Sequence, residues 1–343
     1  MNVLFERGLE AFVGLWLIAL LFRSLITVTL LERHRSDPLH DLVARTTWRL
    51  FRAVVARGSD QARTERRLLW VWPISLFVLM GAWYIHGILA FAFLYLASGS
   101  SQSWGAALLT SGSALSTLGY MTPHDTLGQV ISIAEAGMGL FVIVYILSFV
   151  PGYLATIQAR ADRVDAIYTR TGKPATGVAL LLWYLRSGRP EAVGEHWYEW
   201  EAWFRTLGVA QSLSPGLATA RSHWPGESWV NAGAVVLDTA ALSIAALEAP
   251  PQGYALACLT SGERALAAVA SSMRLRVTEP RVCLVTRVQF DVGLDRLSAA
   301  GAKLTPDRER AWSDFVALRS RYEPFLVVLA DEVLVDLDAW PEA

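Results

Sequence analysis

The residues best suited to bind a metal cation in this sequence are six consecutive ones. Residues 116–121 read S-T-L-G-Y-M and end an apolar stretch that begins at Trp104. Gly119 permits backbone angles that a residue with a Cβ resists, and Thr117 adds a hydroxyl oxygen. Carbonyl oxygens that face one path can replace the hydration shell of a cation. Main-chain carbonyl and hydroxyl oxygens, and no charged side chain, are therefore the groups with which this run can contact a cation.

The neighbouring segments predict that this run lies at membrane depth. Residues 104–121 are too polar at their end to span a bilayer and too apolar at their start for an ordinary loop, and apolar runs at 68–97 and 127–158 flank them closely. Non-helical backbone at membrane depth is tolerated only where protein buries it or where it lines a water-filled path. We therefore expect a re-entrant segment, with a short helix over 103–116 followed by an extended piece.

The composition indicates an integral membrane protein with an additional soluble part. Of the 343 residues, 53% are hydrophobic and only 18% are charged. The formal net charge of -1 argues against nucleic acid as a partner, because no basic face or tail stands out. Residues 11–31 are long and apolar enough for a first spanning helix. Since Arg23 interrupts this run, a helix lying along the interface is the alternative.

The distribution of basic residues predicts the topology. No Lys or Arg occurs between Leu68 and Ala159, whereas basic residues crowd both ends of that interval. By the positive-inside rule both ends are cytoplasmic. The chain between them is therefore expected to cross the membrane and return to the cytoplasmic side. The predicted organisation is a first transmembrane or interfacial helix, a basic amphipathic cytoplasmic segment, a pore domain and a helical cytoplasmic domain. These occupy residues 1–31, 32–67, 68–159 and 160–343.

The run 116–121 resembles the selectivity filter of the potassium-channel pore-domain family, T-x-G-Y-G preceded by Ser or Thr. Glu135, followed by Gly137, Gly139 and branched aliphatic residues, is similar to the inner helix of that family. The resemblance covers residues 68–158. It departs from the family at Met121, where the family pattern has its second glycine. It implies a homotetramer in which four loops form the ion site. The expected ion-binding residues are Thr117, Leu118, Gly119, Tyr120 and Met121.

Further residues of this pore domain are expected to support the loop or to move. Ser116 and Trp104 are predicted supports of the short helix, with Tyr120 braced against that helix. His124 and Asp125 are placed at the outer mouth, or else in a solvated loop. Glu135 is a costly carboxylate in a membrane helix unless paired, and Arg23 is one candidate partner. Hinge candidates, for which close helix packing is the alternative, are Gly137, Gly139, Pro151 and Gly152.

The C-terminal part is predicted to be a helical domain without a resident cofactor or metal. Pro- and Gly-rich breaks divide helix-rich pieces over 191–207, 228–247 and 253–273. His196 and Glu199 lie one helical turn apart, but no further metal ligands accompany them. Cys258 and Cys283 are the only cysteines, and we expect them to be buried and unreactive. The role of residues 160–343 stays unassigned, with gating or assembly inferred from position alone.

Three classes of function are compatible with the sequence. The first is an oligomeric cation channel that conducts potassium or another monovalent cation, in a prokaryotic inner or cell membrane, with membrane lipid as its other partner. The second is a non-conducting, pore-like scaffold or sensor that signals through the cytoplasmic part. An enzyme is the weakest, because the few titratable residues of the membrane interval form no catalytic set. We therefore expect the chain not to be an enzyme.

Overall fold

The computed structural model describes residues 2–29, 37–55, 67–187, 192–213, 215–220, 224–248, 252–278 and 283–340. These ranges are mainly α-helical and contain no β-strand beyond an isolated bridge between Leu247 and Leu304. They form two compact units, Met1–Ala155 and Thr156–Ala343. The predicted mainly helical class is confirmed.

The first unit contains the predicted helices, although the first of them begins at Asn2 rather than at residue 11. They are α1 (Asn2–Thr29), α2 (Pro38–Val55), α3 (Val71–Ser98), α4 (Trp104–Leu115) and α5 (Thr126–Thr171), which continues into the second unit. Helix α5 contains Pro151 and extends to Thr171, beyond the end of the predicted 127–158. Helix α4 begins at the cap residue Ser103, whose hydroxyl accepts a hydrogen bond from the amide of Ala106 at 3.3 Å.

Helices α1 and α3 pack antiparallel along their length. Near the middle of α1, Gly14 lies against Ala90 and Leu94 of α3. Further along, His86 Nε2 lies 2.8 Å from the carbonyl oxygen of Leu17, so this nitrogen carries the hydrogen. Near the end of α1, Trp83 Nε1 donates to Ser24 Oγ at 2.9 Å. The two helices are therefore held together by small-residue packing and by hydrogen bonds from polar side chains.

Four helices in the described ranges are long and apolar enough to cross a membrane. Three of these apolar segments, Leu4–Thr27, Pro73–Ser98 and Thr126–Thr171, are 22%, 33% and 28% buried within the protein. The fourth, Trp229–Ala246, is 89% buried. A helix that is apolar all round is either a core helix or a membrane span. Its burial identifies the fourth helix as the core of its own unit, whereas the other three expose apolar surface of the kind that faces lipid.

Helix α4 lies against both α3 and α5 of the first unit. Leu115, at its last turn, is 2% exposed and packs against Gly87 of α3. Its carbonyl oxygen lies against Gly139 of α5, so closely that a Cβ at position 139 would overlap it. The end of α4 is therefore fixed by a backbone contact that only glycine permits.

The second unit surrounds a buried central helix. Its helices are α6 (Gly177–Arg186), α7 (Ala192–Leu213), α8 (Pro215–Thr219), α9 (Trp229–Ala246), α10 (Gln252–Ser272), α11 (Arg287–Ala299), α12 (Arg308–Arg319) and α13 (Glu323–Glu332). Helix α9 contacts α6, α10, α12 and α13, and its side chains are buried at nearly every position. This all-helical arrangement agrees with the helix-rich pieces predicted for the C-terminal part.

A buried ionic network joins α9, α12 and α13. Arg319 donates to Asp238 Oδ2 at 2.8 Å and to Glu323 Oε1 at 2.6 Å. Asp238 also accepts from the Tyr322 hydroxyl at 2.6 Å and from Trp340 Nε1 at 2.8 Å. The nearby acids raise the pKa of Arg319 against the opposing effect of its burial. Removing one member of such a network leaves a buried charge without its partner, which costs about 3–5 kcal/mol.

Substitution of Gly139 by Ala should destabilise the first unit, and Gly137→Ala provides a matched control two residues away. The added methyl group at 139 overlaps the Leu115 carbonyl, whereas a Cβ at 137 meets nothing within 4 Å. We expect Gly139→Ala to lower the free energy of unfolding by about 1–3 kcal/mol. Gly137→Ala should raise it slightly, because Ala is the better helix former. Thermal unfolding of the detergent-solubilised chain measures both, and equal stabilities would contradict the close contact.

Candidate functional site

The loop that follows α4 is irregular backbone with a turn at its start, rather than the extended piece that the sequence predicts. Residues 117–121 are non-helical. Thr117 and Gly119 both have positive φ angles, of 57° and 68°. A left-handed conformation costs a residue with a Cβ about 1–2 kcal/mol, so Thr117 is strained, whereas Gly119 adopts it without cost. Strain of this kind persists only where the surrounding structure imposes it.

The amide groups of this loop are bound by the end of α4. The Thr117 amide donates to the carbonyl of Ala114 at 2.9 Å. The amides of Leu118 and Gly119 both donate to the carbonyl of Ser113, at 3.0 and 3.3 Å. Successive amides that converge on one oxygen are typical of backbone with left-handed residues. Further on, the Met121 amide donates to Ser113 Oγ at 3.0 Å.

The carbonyl groups of the same loop are left available. Within the described ranges, no hydrogen bond ends on the carbonyl oxygen of any residue from 117 to 120. All of these residues are exposed, Leu118 and Tyr120 by 72% and 61%. The amides of residues 117, 118, 119 and 121 therefore face α4, while a run of carbonyl oxygens stays without a donor. Such a run can bind a cation, because each carbonyl oxygen has two lone pairs and no proton.

The predicted supports of the loop occupy different surroundings. Ser116 caps α4, and its hydroxyl donates to the Gly112 carbonyl at 2.5 Å. The ring of Trp104 packs edge-to-face on Phe93, with 4.7 Å between centroids. Tyr120 is exposed on the single chain rather than packed. Bracing of Tyr120 against α4 stays a prediction that would require a second copy of the chain.

The two residues assigned to the outer mouth are both exposed. Asp125 Oδ2 accepts from the Gly128 amide at 2.9 Å and from Ser100 Oγ at 2.8 Å. It is therefore an N-cap of α5. These two hydrogen bonds, and more weakly the neighbouring His124, lower the pKa of Asp125. The side chain thus stays charged at neutral pH while it connects the start of α5 to Ser100, which follows α3.

Glu135 is completely buried, and neutral hydroxyl groups surround its carboxyl group. It is 0% exposed. Its Oε2 accepts from the Tyr95 hydroxyl at 2.9 Å, and its Oε1 lies 2.5 Å from Ser111 Oγ. Arg23, the partner considered from sequence, is exposed on α1. The carboxyl group therefore connects α5 to α3 and α4 rather than pairing with a cation.

The hinge candidates divide into two kinds. Gly139 contacts the end of α4, which supports the close-packing alternative for this residue. A Cβ at Gly137 or Gly152 would meet nothing within 4 Å. Pro151 lies inside α5, which continues through it. Hinge motion at these three positions stays a prediction.

Sequence reasoning missed the side chains that fix the loop. Ser111 and Ser113 are both 0% exposed, and Tyr95 is buried in α3. The available signal was the presence of serines inside an otherwise apolar short helix, because a buried hydroxyl requires a partner. Spacing alone does not reveal whether that partner lies in the same helix, the loop or a neighbouring helix.

The described part of the second unit contains no cluster of metal-binding side chains. No group of three or more His, Cys, Asp or Glu side chains is placed to hold a metal ion in the ranges that the structure covers. His196 packs against the ring of Tyr184, and Glu199 pairs with Arg163 at 2.9 Å. Burial raises the pKa of the Cys258 thiol, and that of Cys283 to about 11. Both thiols are thus poor nucleophiles at neutral pH.

Comparison with known proteins gives no match of any kind. No family model, no curated protein and no solved structure is significantly similar to this chain. The argument for function therefore depends on the geometry of residues 113–121.

Substitution of Ser113 by Ala should release the Met121 amide. The hydroxyl is the acceptor for this amide, whereas the Leu118 and Gly119 amides bind the Ser113 carbonyl, which the substitution retains. Loss of one hydrogen bond, about 0.5–1.5 kcal/mol, should speed hydrogen exchange at Met121 by up to about tenfold. Ser116→Ala is the matched control, since its hydroxyl donates to the Gly112 and Ser113 carbonyls of α4 rather than binding the Met121 amide. Unchanged exchange at Met121 would contradict this role of Ser113.

Proposed function

We propose that this chain is an integral membrane protein that assembles as a homotetramer into a cation channel. In this proposal, carbonyl oxygens of residues 117–120 from each copy line the path of potassium or another monovalent cation. The observation that carries the proposal is the division of the loop into amides bound to α4 and carbonyls without donors. An uncharged ring of such oxygens suits a monovalent cation, since it replaces water oxygens without adding a strong charge.

Oligomerisation follows from the chemistry of the loop. One loop supplies oxygens on one side of an ion only, and a dehydrated ion needs them all around. Closed cyclic symmetry brings identical loops to one axis. The rings of Trp104 and Tyr120 are 46% and 61% exposed on the single chain. Their exposure supports contacts with a neighbouring copy around that axis.

The proposed arrangement in the membrane follows from the antiparallel pair α1 and α3. Since α1 packs against α3 along its length, a bilayer that is crossed by α3 is also crossed by α1. The N-terminus of α1 then lies on the same side as the loop after α4. In this proposal the second unit is cytoplasmic, on the strength of the basic residues that border the apolar interval.

Helix α2 suits the membrane surface in this arrangement. Val43 and Thr47 are buried against the first unit, whereas Leu50 and Val54 leave apolar surface exposed by 63% and 50%. Arg49 is also exposed and lies, like Leu50 and Val54, in the C-terminal half of α2. An apolar stripe beside a basic residue supports contact with lipid that has anionic headgroups.

Ion flux through the loop can be tested with two variants, each of which replaces one glycine by alanine. The purified full-length chain in liposomes should release a potassium gradient. Gly119→Ala puts a Cβ on a residue at φ 68°, at a cost of about 1–2 kcal/mol, and should lower flux by about tenfold. Gly105→Ala in α4 meets nothing within 4 Å and should leave flux unchanged. Absence of flux from the native chain would favour the non-conducting scaffold, and equal flux in both variants would exclude the loop as the path.

The residue at position 121 should tune the preference between cations. A Cβ at Met121 restricts the backbone where the potassium-channel pattern has glycine. Met121→Gly should therefore raise selectivity for potassium over sodium, whereas Met121→Ala, which keeps the Cβ, should not. Reversal potentials with potassium on one side and sodium on the other measure the change. An identical reversal potential in native chain and glycine variant would refute the role given to this residue.

A further inference from the structure

The protonation state of Glu135 can be inferred from the number of hydrogens available for its hydrogen bonds. Ser111 Oγ lies 2.5 Å from Glu135 Oε1 and 2.9 Å from the carbonyl oxygen of Ile88. Both are hydrogen-bond distances. A serine hydroxyl has one hydrogen to donate, and a carbonyl oxygen has none. If Ser111 donates to Ile88, the hydrogen between Ser111 and Glu135 must come from the carboxyl group.

An ionised Glu135 leaves Ser111 with one hydrogen for two acceptors. Ser111 would then donate to only one of two acceptors, and its other contact would place two oxygens at hydrogen-bond distance without a hydrogen between them. The second carboxyl oxygen is already satisfied, because the Tyr95 hydroxyl donates to it at 2.9 Å. A neutral carboxyl group gives every oxygen a compatible partner.

The charges near Glu135 agree with a neutral group. From α4 no titratable side chain faces it, since residues 104–115 contain none. From α3 the titratable groups that act on it are Tyr95, in direct contact, and Tyr84, at longer range. His86 of α3 contacts Leu17 of α1 instead. In the described ranges no ion pair includes Glu135. A buried carboxylate without a cation is so unfavourable that the group takes up a proton instead.

We infer that Glu135 is a proton-binding site, occupied in the folded chain, whose carboxyl hydrogen is donated to Ser111. Glu135 then acts as a positioning residue for the loop, because Ser111 and Ser113 lie on the same turn of α4. The chain Glu135 to Ser111 to Ile88 ties α5, α4 and α3 together next to the residue that binds the loop amides. Release of the proton to water leaves a carboxylate that takes the Ser111 hydrogen away from Ile88.

Infrared difference spectroscopy tests this protonation state directly. The spectrum of the native detergent-solubilised chain minus that of Glu135→Gln at neutral pH should contain the carbonyl band of a protonated carboxyl group. Asp125→Asn is the matched control, since this exposed acid should contribute carboxylate bands only. A carboxylate signal from Glu135 would overturn the inference. If Glu135→Gln does not fold, Tyr95→Phe serves, because loss of the donor to Oε2 should shift the protonated band, and an absent shift would refute the assignment.

The pH dependence of stability gives a second, independent measurement. An ordinary Glu ionises near pH 4.3, so above that pH the unfolded chain releases the proton that the folded chain keeps. The unfolding equilibrium constant of the native chain should therefore rise about tenfold more per pH unit than that of Glu135→Gln between about pH 5 and 7. Parallel profiles would contradict the inference. Neither measurement depends on ion flux, so failure of the channel proposal and failure of this inference are distinguishable.

Discussion

The hydrogen bonds that Ser113 accepts are the constraint on which the candidate site depends. Its carbonyl binds the amides of Leu118 and Gly119, and its hydroxyl binds that of Met121. In a planar trans peptide group the N–H and the C=O point in opposite directions. Once these amides are directed to α4, the carbonyl oxygens of the same peptide groups therefore point away from it. The free oxygens are thus a consequence of where the amides are bound. The left-handed angle of Thr117 is the strain that this arrangement imposes.

The position of Ser113 depends in turn on the neighbours of α4. Gly139 admits the Leu115 carbonyl at the end of this helix, and Glu135 reaches Ser111 one turn earlier. A contact that tolerates no Cβ and a buried acid in a network of hydroxyls leave α4 little freedom to move. Packing and polar contacts in the first unit therefore act on the same short helix.

The two units use apolar helices in different ways. Helix α9 is 89% buried and surrounded by helices of its own unit, while the three long apolar segments of the first unit are at most 33% buried. Similar hydropathy therefore has two structural outcomes. The second unit also buries charges, as Arg319 between Asp238 and Glu323 shows, and satisfies them within one network.

The sequence by itself located the long helices of the first unit and three helices of the second, at 191–207, 228–247 and 253–273, because long apolar runs and Pro- or Gly-rich breaks are local signals. It also located the irregular loop at 117–121 and marked Glu135 as a carboxylate in need of partners. Only the tertiary structure decided that these partners are Tyr95 and Ser111, that Gly139 packs rather than stands free, and that α9 is a core helix. Each of these depends on contacts between residues far apart in the chain, and neither composition nor spacing specifies which helices meet.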